Sequence, residues 1–264
     1  MKKLLAAMAG LAILPFLASA QTTYLYDGFD YSVGGLQANS GGVWTPGWES
    51  VGVTSPGLTY GALGGIGNKA STGANGTGGG MFHMMPTGFN ALNSTVWISF
   101  VGQADTAAGA GWSGISPFNG ADSETLFLGN PGQDPVGGAR FWGVHLYNAL
   151  GDPGVPTGGV LSPLSVDNQI FAVTRIINGA SSAQLTMWIN PSLEGEPQVA
   201  TAAFDGIVGR IPFDRIRVAG SNDGVVSYDE LRVGDSYAAV IPEPSTLALL
   251  ALGGLALTLV RRQH

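Results

Sequence analysis

The sequence has 264 residues, of which 18 are acidic and 11 basic, and its formal net charge is −7. An acidic surface repels phosphate groups, which argues against nucleic acid and anionic lipid as partners. The chain has no cysteine, and this excludes a disulfide framework, thiolate metal sites and cysteine nucleophiles.

The composition predicts a folded chain with many turns. Glycine contributes 42 residues, charged residues are 11% and hydrophobic residues 45%. Disordered chains contain fewer aliphatic and aromatic residues than this, so we expect a packed core. Such frequent glycine is typical of short strands that are joined by tight turns.

The first twenty residues have the three parts of a secretion signal. Two lysines precede an apolar run over residues 4–16, and Ala18 and Ala20 form a small-residue cleavage site. Cleavage there makes Gln21 the first residue of the mature chain. We therefore predict export through the Sec translocon.

Residues 21–240 predict one all-β domain, between the signal peptide 1–20 and a C-terminal segment 241–264. Helical periodicity is scarce there, and short β-branched and aromatic runs recur between glycine, proline, asparagine and aspartate. Residues 34–80 are glycine-rich and contain no certain strand. The predicted strands are 96–101, 125–128, 141–147, 170–177, 184–189, 215–218 and 225–233.

A six-residue pattern occurs twice near the end of this domain. Residues 213–218 and 228–233 both follow the order aromatic, Asp, charged, aliphatic, Arg, Val, and residues 222–224 form an Asn-Asp-Gly turn signal. We predict two neighbouring strands, each with one apolar and one charged face. Their Asp and Arg side chains are interpreted as cross-strand surface pairs rather than as catalytic groups.

The C-terminal residues combine a Pro-Glu-Pro triplet, a short apolar run and an arginine pair. The two prolines disfavour helix before residue 245, and residues 247–260 are apolar. A helix of that length spans about 21 Å, against about 30 Å for a bilayer core, so it is a marginal membrane span. The arginines that follow favour an orientation with the β domain outside the cytoplasm.

This tail resembles the PEP-CTERM sorting signal. The resemblance rests on Pro242, Glu243, Pro244, Arg261 and Arg262. It implies transient retention in the inner membrane, recognition and cleavage near the triplet by an exosortase, and release to the cell surface or extracellular matrix. The alternative is a permanent C-terminal membrane anchor.

A second resemblance covers most of residues 24–237. It rests on residues 26–31, residues 187–191 and the two Asp-x-aliphatic-Arg-Val strands near the end. These segments are similar to concanavalin A-like, LamG-type domains. The resemblance implies a two-sheet jelly-roll sandwich whose first and last strands pair, with either carbohydrate binding or no known ligand.

Patterns that indicate catalysis or metal binding are few. The sequence contains no H-E-x-x-H and no G-x-S-x-G motif. His145 lies in an apolar strand and is interpreted as structural. His83 lies among methionines, where a core position is favoured over a copper site. We predict no metal and no cofactor.

A secreted glycoside hydrolase is the alternative function. That reaction needs two carboxylates on either side of one sugar bond. Asp122 and Glu124 have the spacing to share a strand face, whereas Glu194 and Glu196 flank a glycine and are expected in a loop. The Glu-x-Asp-x-x-Glu strand of laminarinase-like enzymes is absent. We therefore predict a noncatalytic surface or matrix protein.

Glycan binding without catalysis would use exposed aromatic rings, which stack on sugar faces. Trp44, Trp48 and Trp112 are the candidates, because each lies close to glycine in the sequence. The partner would be extracellular polysaccharide. The alternative interpretation, which is favoured, is that these tryptophans anchor loops to the core.

Overall fold

The structure is a computed structural model that describes residues 21–47, 51–61, 63–64, 67–73, 79–105, 111–132, 140–147, 156–197 and 202–241. In these ranges the chain forms two large antiparallel β-sheets and a small two-stranded one, with two one-turn helices. The predicted all-β, two-sheet jelly-roll class is confirmed.

The elements follow one another along the chain as listed here: β1 (Thr23–Asp27), β2 (Gly34–Gly35), α1 (Leu36–Asn39), β3 (Trp44–Pro46), β4 (Gly52–Thr54), β5 (Thr59–Tyr60), β6 (Leu63–Gly64), β7 (Lys69–Thr72), β8 (Gly79–Met84), β9 (Thr95–Ala104), β10 (Ser113–Phe118), β11 (Leu126–Asn130), β12 (Phe141–Tyr147), β13 (Pro156–Ser165), β14 (Ile170–Asn178), β15 (Ser182–Ile189), β16 (Ala202–Gly209), β17 (Arg215–Gly220), β18 (Val226–Gly234) and α2 (Tyr237–Val240).

The strands are divided between a nine-stranded and a seven-stranded sheet. The nine-stranded sheet has the order β16-β15-β14-β9-β18-β7-β4-β2, with β1 also paired to β18. The seven-stranded sheet has the order β13-β12-β11-β10-β17-β8-β3. Tyr26 of β1 lies opposite Arg232 of β18, so the first and last strands pair, as the resemblance implies.

Each of the seven predicted strands corresponds to an observed one. The predicted strand 141–147 has the observed bounds of β12, and the others differ from the observed strands by a few residues. The glycine-rich region 34–80 contains several short strands, from β2 to the start of β8, that the sequence did not predict. Strands of two to four residues are too short to show a readable alternation.

The prediction that 213–218 and 228–233 form neighbouring strands is wrong. β17 lies in the seven-stranded sheet between β10 and β8, whereas β18 lies in the nine-stranded sheet between β9 and β7. The chain crosses between the sheets after Gly220. Apolar residues of both strands therefore face the same core from opposite sides, which buries them more fully than a hairpin within one sheet.

The main core lies between the two large sheets. Its largest fully buried side chains include Trp44, Trp142, Phe100 and Tyr228. Trp142 packs against Gly102, where an added Cβ would lie 2.9 Å from the indole ring. The absence of a side chain at Gly102 thus leaves room for the tryptophan between the sheets.

A second apolar cluster lies on the outer face of the nine-stranded sheet. Trp97 and Trp188 stack there with ring centroids 5.8 Å apart and an interplanar angle of 11°. Leu58 and Leu63 and the segment after β18 pack on this cluster. The buried members are Leu58, Leu63, Trp97, Val101, Phe171, Val173, Trp188, Tyr237, Val240 and Ile241.

Candidate functional site

The outer face of the seven-stranded sheet carries a group of aromatic and charged side chains. Ile216 and Val218 of β17 point into the core, so the alternation of the strand places Arg217 on the outer face. Across the sheet, Arg217 lies opposite Phe82 of β8 and Ser116 of β10. We call Phe82, Trp112, Phe118, Phe127 and Tyr147 the outer aromatic face.

Arg217 forms a buried ion pair with Glu124. Its Nη2 lies 2.5 Å from Oε1 of Glu124 and donates a 3.2 Å hydrogen bond to the Ser116 hydroxyl. The side chains of Arg217 and Glu124 are only 6% and 7% exposed. The interpretation of this arginine as a surface residue is therefore wrong, because its partner comes from a distant loop that the pattern within β17 does not reveal.

Aromatic rings enclose the guanidinium group. It lies 4.4 Å from the ring centroid of Phe118 and 5.7 Å from that of Trp112. Phe118 in turn meets Phe82 edge-to-face, with centroids 5.0 Å apart, and Trp112 meets Phe127 in the same way at 6.2 Å. The ion pair and the rings thus form one continuous layer.

Burial determines the protonation of this group. Desolvation raises the pKa of Glu124, and the charge of Arg217 opposes that increase. Burial, followed by the negative charge of Glu124, raises the pKa of Tyr147 to about 12. The Tyr147 phenol is thus neutral at physiological pH and remains available as a hydrogen-bond donor.

Two glycines let rings lie flat on this sheet. A Cβ at Gly114 would lie 2.6 Å from the ring of Phe127, and a Cβ at Gly159 would lie 2.3 Å from the ring of His145. His145 is 8% exposed, and burial lowers its pKa, so it is neutral at pH 7. Its position within β12 agrees with the structural role predicted for it.

The candidate tryptophans have different environments. Trp44 is fully buried, and its Nε1 donates a 2.7 Å hydrogen bond to Oδ2 of Asp27. The proposed glycan contact at Trp44 is therefore wrong, since its ring packs between Phe29 and His83 in the core. Trp112 is partly exposed at the outer aromatic face.

The two carboxylate pairs weighed for glycoside hydrolysis do not form a common site. Asp122 is exposed in a turn, whereas Glu124 is buried against Arg217. Glu194 and Glu196 are both exposed in a loop, as expected, and Glu196 lies 2.6 Å from Arg175. In the first pair, the two carboxylates thus differ in exposure, and in the second pair both face solvent.

The described part of the chain contains no group of three or more His, Asp or Glu side chains suited to a metal ion. His83 lies edge-on to Trp44 with ring centroids 5.3 Å apart, and burial lowers its pKa. Its Nδ1 lies 2.8 Å from the carbonyl oxygen of Met84. These contacts account for its orientation within β8.

The last described segment, residues 236–241, is docked on the nine-stranded sheet, and we call it the C-terminal latch. The hydroxyl of Ser99 in β9 donates a 2.7 Å hydrogen bond to the carbonyl of Val240. The phenol of Tyr237 donates a 2.6 Å hydrogen bond to the carbonyl of Ser192, and its ring packs edge-on against Trp97. The latch therefore contributes both apolar contacts and hydrogen bonds.

Most residues of the predicted targeting signals lie outside the described ranges. Gln21 is exposed at the start of the described chain. No helix within the described residues is long and apolar enough to cross a membrane. The predicted residues outside the description are Ala18, Ala20, Trp48, Pro242, Glu243, Pro244, Arg261 and Arg262.

Several solved structures resemble this domain in fold. The globular domain of T. cruzi calreticulin superimposes with a TM-score of 0.50 and 13% identity, covering 92% of this chain and 100% of that domain. The lumenal domain of VIP36 in its Ca²⁺/Man-bound form has a TM-score of 0.40 and 10% identity, and the match covers 79% of this chain and 84% of that one. The CBM2 module of the evolved Dit of Lactobacillus casei BL23 phage J-1 has a TM-score of 0.45 and 12% identity, and the match covers 81% of this chain and 96% of that one. The likeness to the calreticulin domain shows the same two-sheet jelly-roll fold.

The C-terminal segment carries a recognised signal. Residues 240–263 match the PEP-CTERM protein-sorting motif, which confirms the resemblance seen in the sequence. No curated protein sequence matches the chain. The protein is thus a jelly-roll domain with a PEP-CTERM motif, and this motif implies export through the cell envelope.

Proposed function

We propose that this protein is a noncatalytic surface or matrix protein that an exosortase processes through its C-terminal motif and that binds extracellular polysaccharide. For glycan binding, the observation that carries the proposal is the position of two partly exposed rings, Trp112 and Tyr147, next to the buried pair of Arg217 and Glu124. For sorting, it is the motif that begins at Val240, one residue before the end of the described domain.

Sugar recognition usually combines an aromatic ring with nearby hydrogen-bonding groups. The ring of Trp112 offers a stacking surface, and the Tyr147 phenol remains protonated as a donor. Tyr147 also lines a pocket with Thr125 and Arg210.

A binding role accounts for the charged groups better than hydrolysis does. The salt bridge of Glu124 with Arg217 orders this acid within the sheet. Hydrolysis by a retaining mechanism would need a second carboxylate about 5 Å from it. Asp122, the candidate for that role, is exposed in the preceding turn.

The sorting part of the proposal also includes passage of the precursor through the Sec translocon and transient anchoring by residues 247–260. The test is the intact mass of the protein recovered from the cell surface and medium of a Gram-negative host that has an exosortase. A product that ends near residue 241 is expected for the wild type. Replacing Pro242, Glu243 and Pro244 by alanine should abolish it. Identical, unprocessed products from both chains would overturn processing and favour a permanent anchor.

Glycan binding is tested with processed protein and extracellular polysaccharide isolated from the same host. Trp112→Ala should lower the affinity about tenfold, because stacking of the indole ring on a sugar face is lost. Trp112→Phe keeps an aromatic ring and should lose less affinity. Tyr26→Ala is the matched control, since Tyr26 is 55% exposed on the other sheet. Equal binding by wild type and Trp112→Ala would refute this site, and no binding by the wild type would refute glycan binding.

A further inference from the structure

The folded domain continues to the residue that precedes the sorting triplet. Val240 is fully buried and Ile241 is 6% exposed, and Pro242 follows directly in the sequence. Both side chains belong to the cluster on the outer face of the nine-stranded sheet. No spacer therefore separates the latch from the Pro-Glu-Pro triplet.

The backbone of the latch is already hydrogen-bonded within the domain. The carbonyl of Ala239 accepts a bond from the Thr23 hydroxyl, and the carbonyl of Val240 accepts one from Ser99. The amide of Ile241 donates to the carbonyl of Tyr237. An enzyme that binds an extended peptide uses such backbone groups, so docking withholds them from it.

The space beyond the latch is also limited. From Ile241 to Leu247, where the apolar run begins, an extended chain reaches at most about 20 Å. A domain of this size has a radius of gyration of about 17 Å. While the apolar run is in the membrane, the docked domain and a membrane enzyme compete for the same volume around the triplet.

We propose that the C-terminal latch must leave the nine-stranded sheet before the sorting signal is processed, so that undocking limits the rate of release. This inference rests on the proposed processing near the triplet. Undocking removes Tyr237, Val240 and Ile241 from the sheet and extends the chain that the enzyme can bind. After processing, the latch docks again and closes the outer cluster of the released domain.

The test measures processing of the full chain in the host by pulse labelling and intact mass. Val240→Ala removes two buried methyl groups from the latch and should raise the processing rate about tenfold. Val218→Ala is the matched control, because Val218 is equally buried but lies in the main core on the seven-stranded sheet. It should leave the rate close to that of the wild type.

A second variant separates undocking from general loss of stability. Eight Gly and Ser residues inserted between Ile241 and Pro242 add about 15 Å of flexible chain and should raise the rate with the latch still docked. Val240→Ala should then add nothing further in the chain with the insertion.

The outcomes distinguish this inference from the proposed function. If Val240→Ala is processed at the rate of Val218→Ala while alanine replacement of the triplet still blocks cleavage, the latch inference is wrong and processing stands. A further acceleration by Val240→Ala in the chain with the insertion also contradicts it. If replacement of the triplet leaves the product unchanged, processing near the triplet is itself refuted, and the latch inference falls with it.

Discussion

The indole of Trp44 and the carboxylate of Asp27 join the two sheets through one hydrogen bond of 2.7 Å. Asp27 belongs to β1 of the nine-stranded sheet, and Trp44 belongs to β3 of the seven-stranded sheet. The same carboxylate accepts 2.7 Å bonds from the Tyr31 phenol and from the Phe29 amide. A single buried acid thus orders the first strand and the loop that follows it.

Replacing Asp27 by alanine should destabilise the domain by roughly 3 kcal/mol, because two buried donors and one partly buried donor lose their acceptor. Chemical denaturation followed by tryptophan fluorescence measures this difference. Asp122→Ala is the control, since Asp122 is exposed in a turn, and it should change the stability by less than about 0.5 kcal/mol. Equal stabilities for the two variants would show that the Asp27 bonds do not support the fold.

The buried ion pair of Arg217 and Glu124 should respond asymmetrically to substitution. Arg217→Met leaves a buried carboxylate without its partner and should cost about 3 to 5 kcal/mol. Adding Glu124→Leu removes that charge, and the double variant should recover most of the loss. Asp167→Asn, which weakens the exposed pair with Arg140, should cost less than about 1 kcal/mol.

Thermal unfolding of the wild type, Arg217→Met, Glu124→Leu and the double variant measures these differences as a double-mutant cycle, with Asp167→Asn as the exposed control. If Arg217→Met costs no more than Asp167→Asn, the Arg217 pair is effectively solvated. The same result would remove the reason for treating it as the rigid centre of the outer aromatic face.

The contribution of Asp229 to the stability of the domain should fall as the pH rises from about 4 to about 7. Burial raises the pKa of Asp229 from 3.8 to about 7, and the nearby charges of Glu230 and Asp27 contribute to the increase. The folded protein holds this proton more tightly than the unfolded chain, so the free energy of unfolding decreases over that range and levels off above it.

Asp229→Asn isolates this effect. The free energy of unfolding of the wild type minus that of Asp229→Asn should be about 1 to 3 kcal/mol larger at pH 4 than at pH 8. Asparagine can still accept one of the bonds that the aspartate accepts from the amides of Leu58 and Glu230. A difference that stays constant between the two pH values would mean that Asp229 is charged throughout.

Gly114→Ala should destabilise the domain by about 1 to 3 kcal/mol. An added Cβ would lie 2.6 Å from both the backbone oxygen of Leu128 and the ring of Phe127, and the backbone cannot rotate away. Gly195→Ala is the matched control, because nothing lies within 4 Å of its added Cβ. It should be neutral or slightly stabilising in a thermal melt. Similar melting temperatures for both variants would contradict the close packing at Gly114.

Alternation in the sequence located seven of the strands, but it missed the long strands β13 and β16. Residues 96–101 and 170–177 lie within or close to the observed bounds of β9 and β14 because each has enough β-branched and aromatic residues to show the pattern. In the glycine-rich region the same method failed, since strands of two to four residues show no readable alternation and are fixed by pairing, as β7 is with β18 and β3 with β8.

The candidate site was predicted only in part. Trp112 was recognised from its glycine-rich surroundings, and it is partly exposed. Arg217 and Glu124 are 93 residues apart, and no local pattern joins them. Trp44 was a candidate on the same grounds as Trp112, but its burial depends on Asp27 and on the opposite sheet.

By itself, the sequence determined the β class, the positions of seven strands and the sorting motif, because these depend on residue type and on spacing along a short stretch of chain. Only the tertiary structure decided that β17 and β18 lie in different sheets, that Arg217 is buried with Glu124, and that the latch closes the outer cluster. Strand pairing and burial are set by contacts between residues far apart in the chain, which local alternation does not encode.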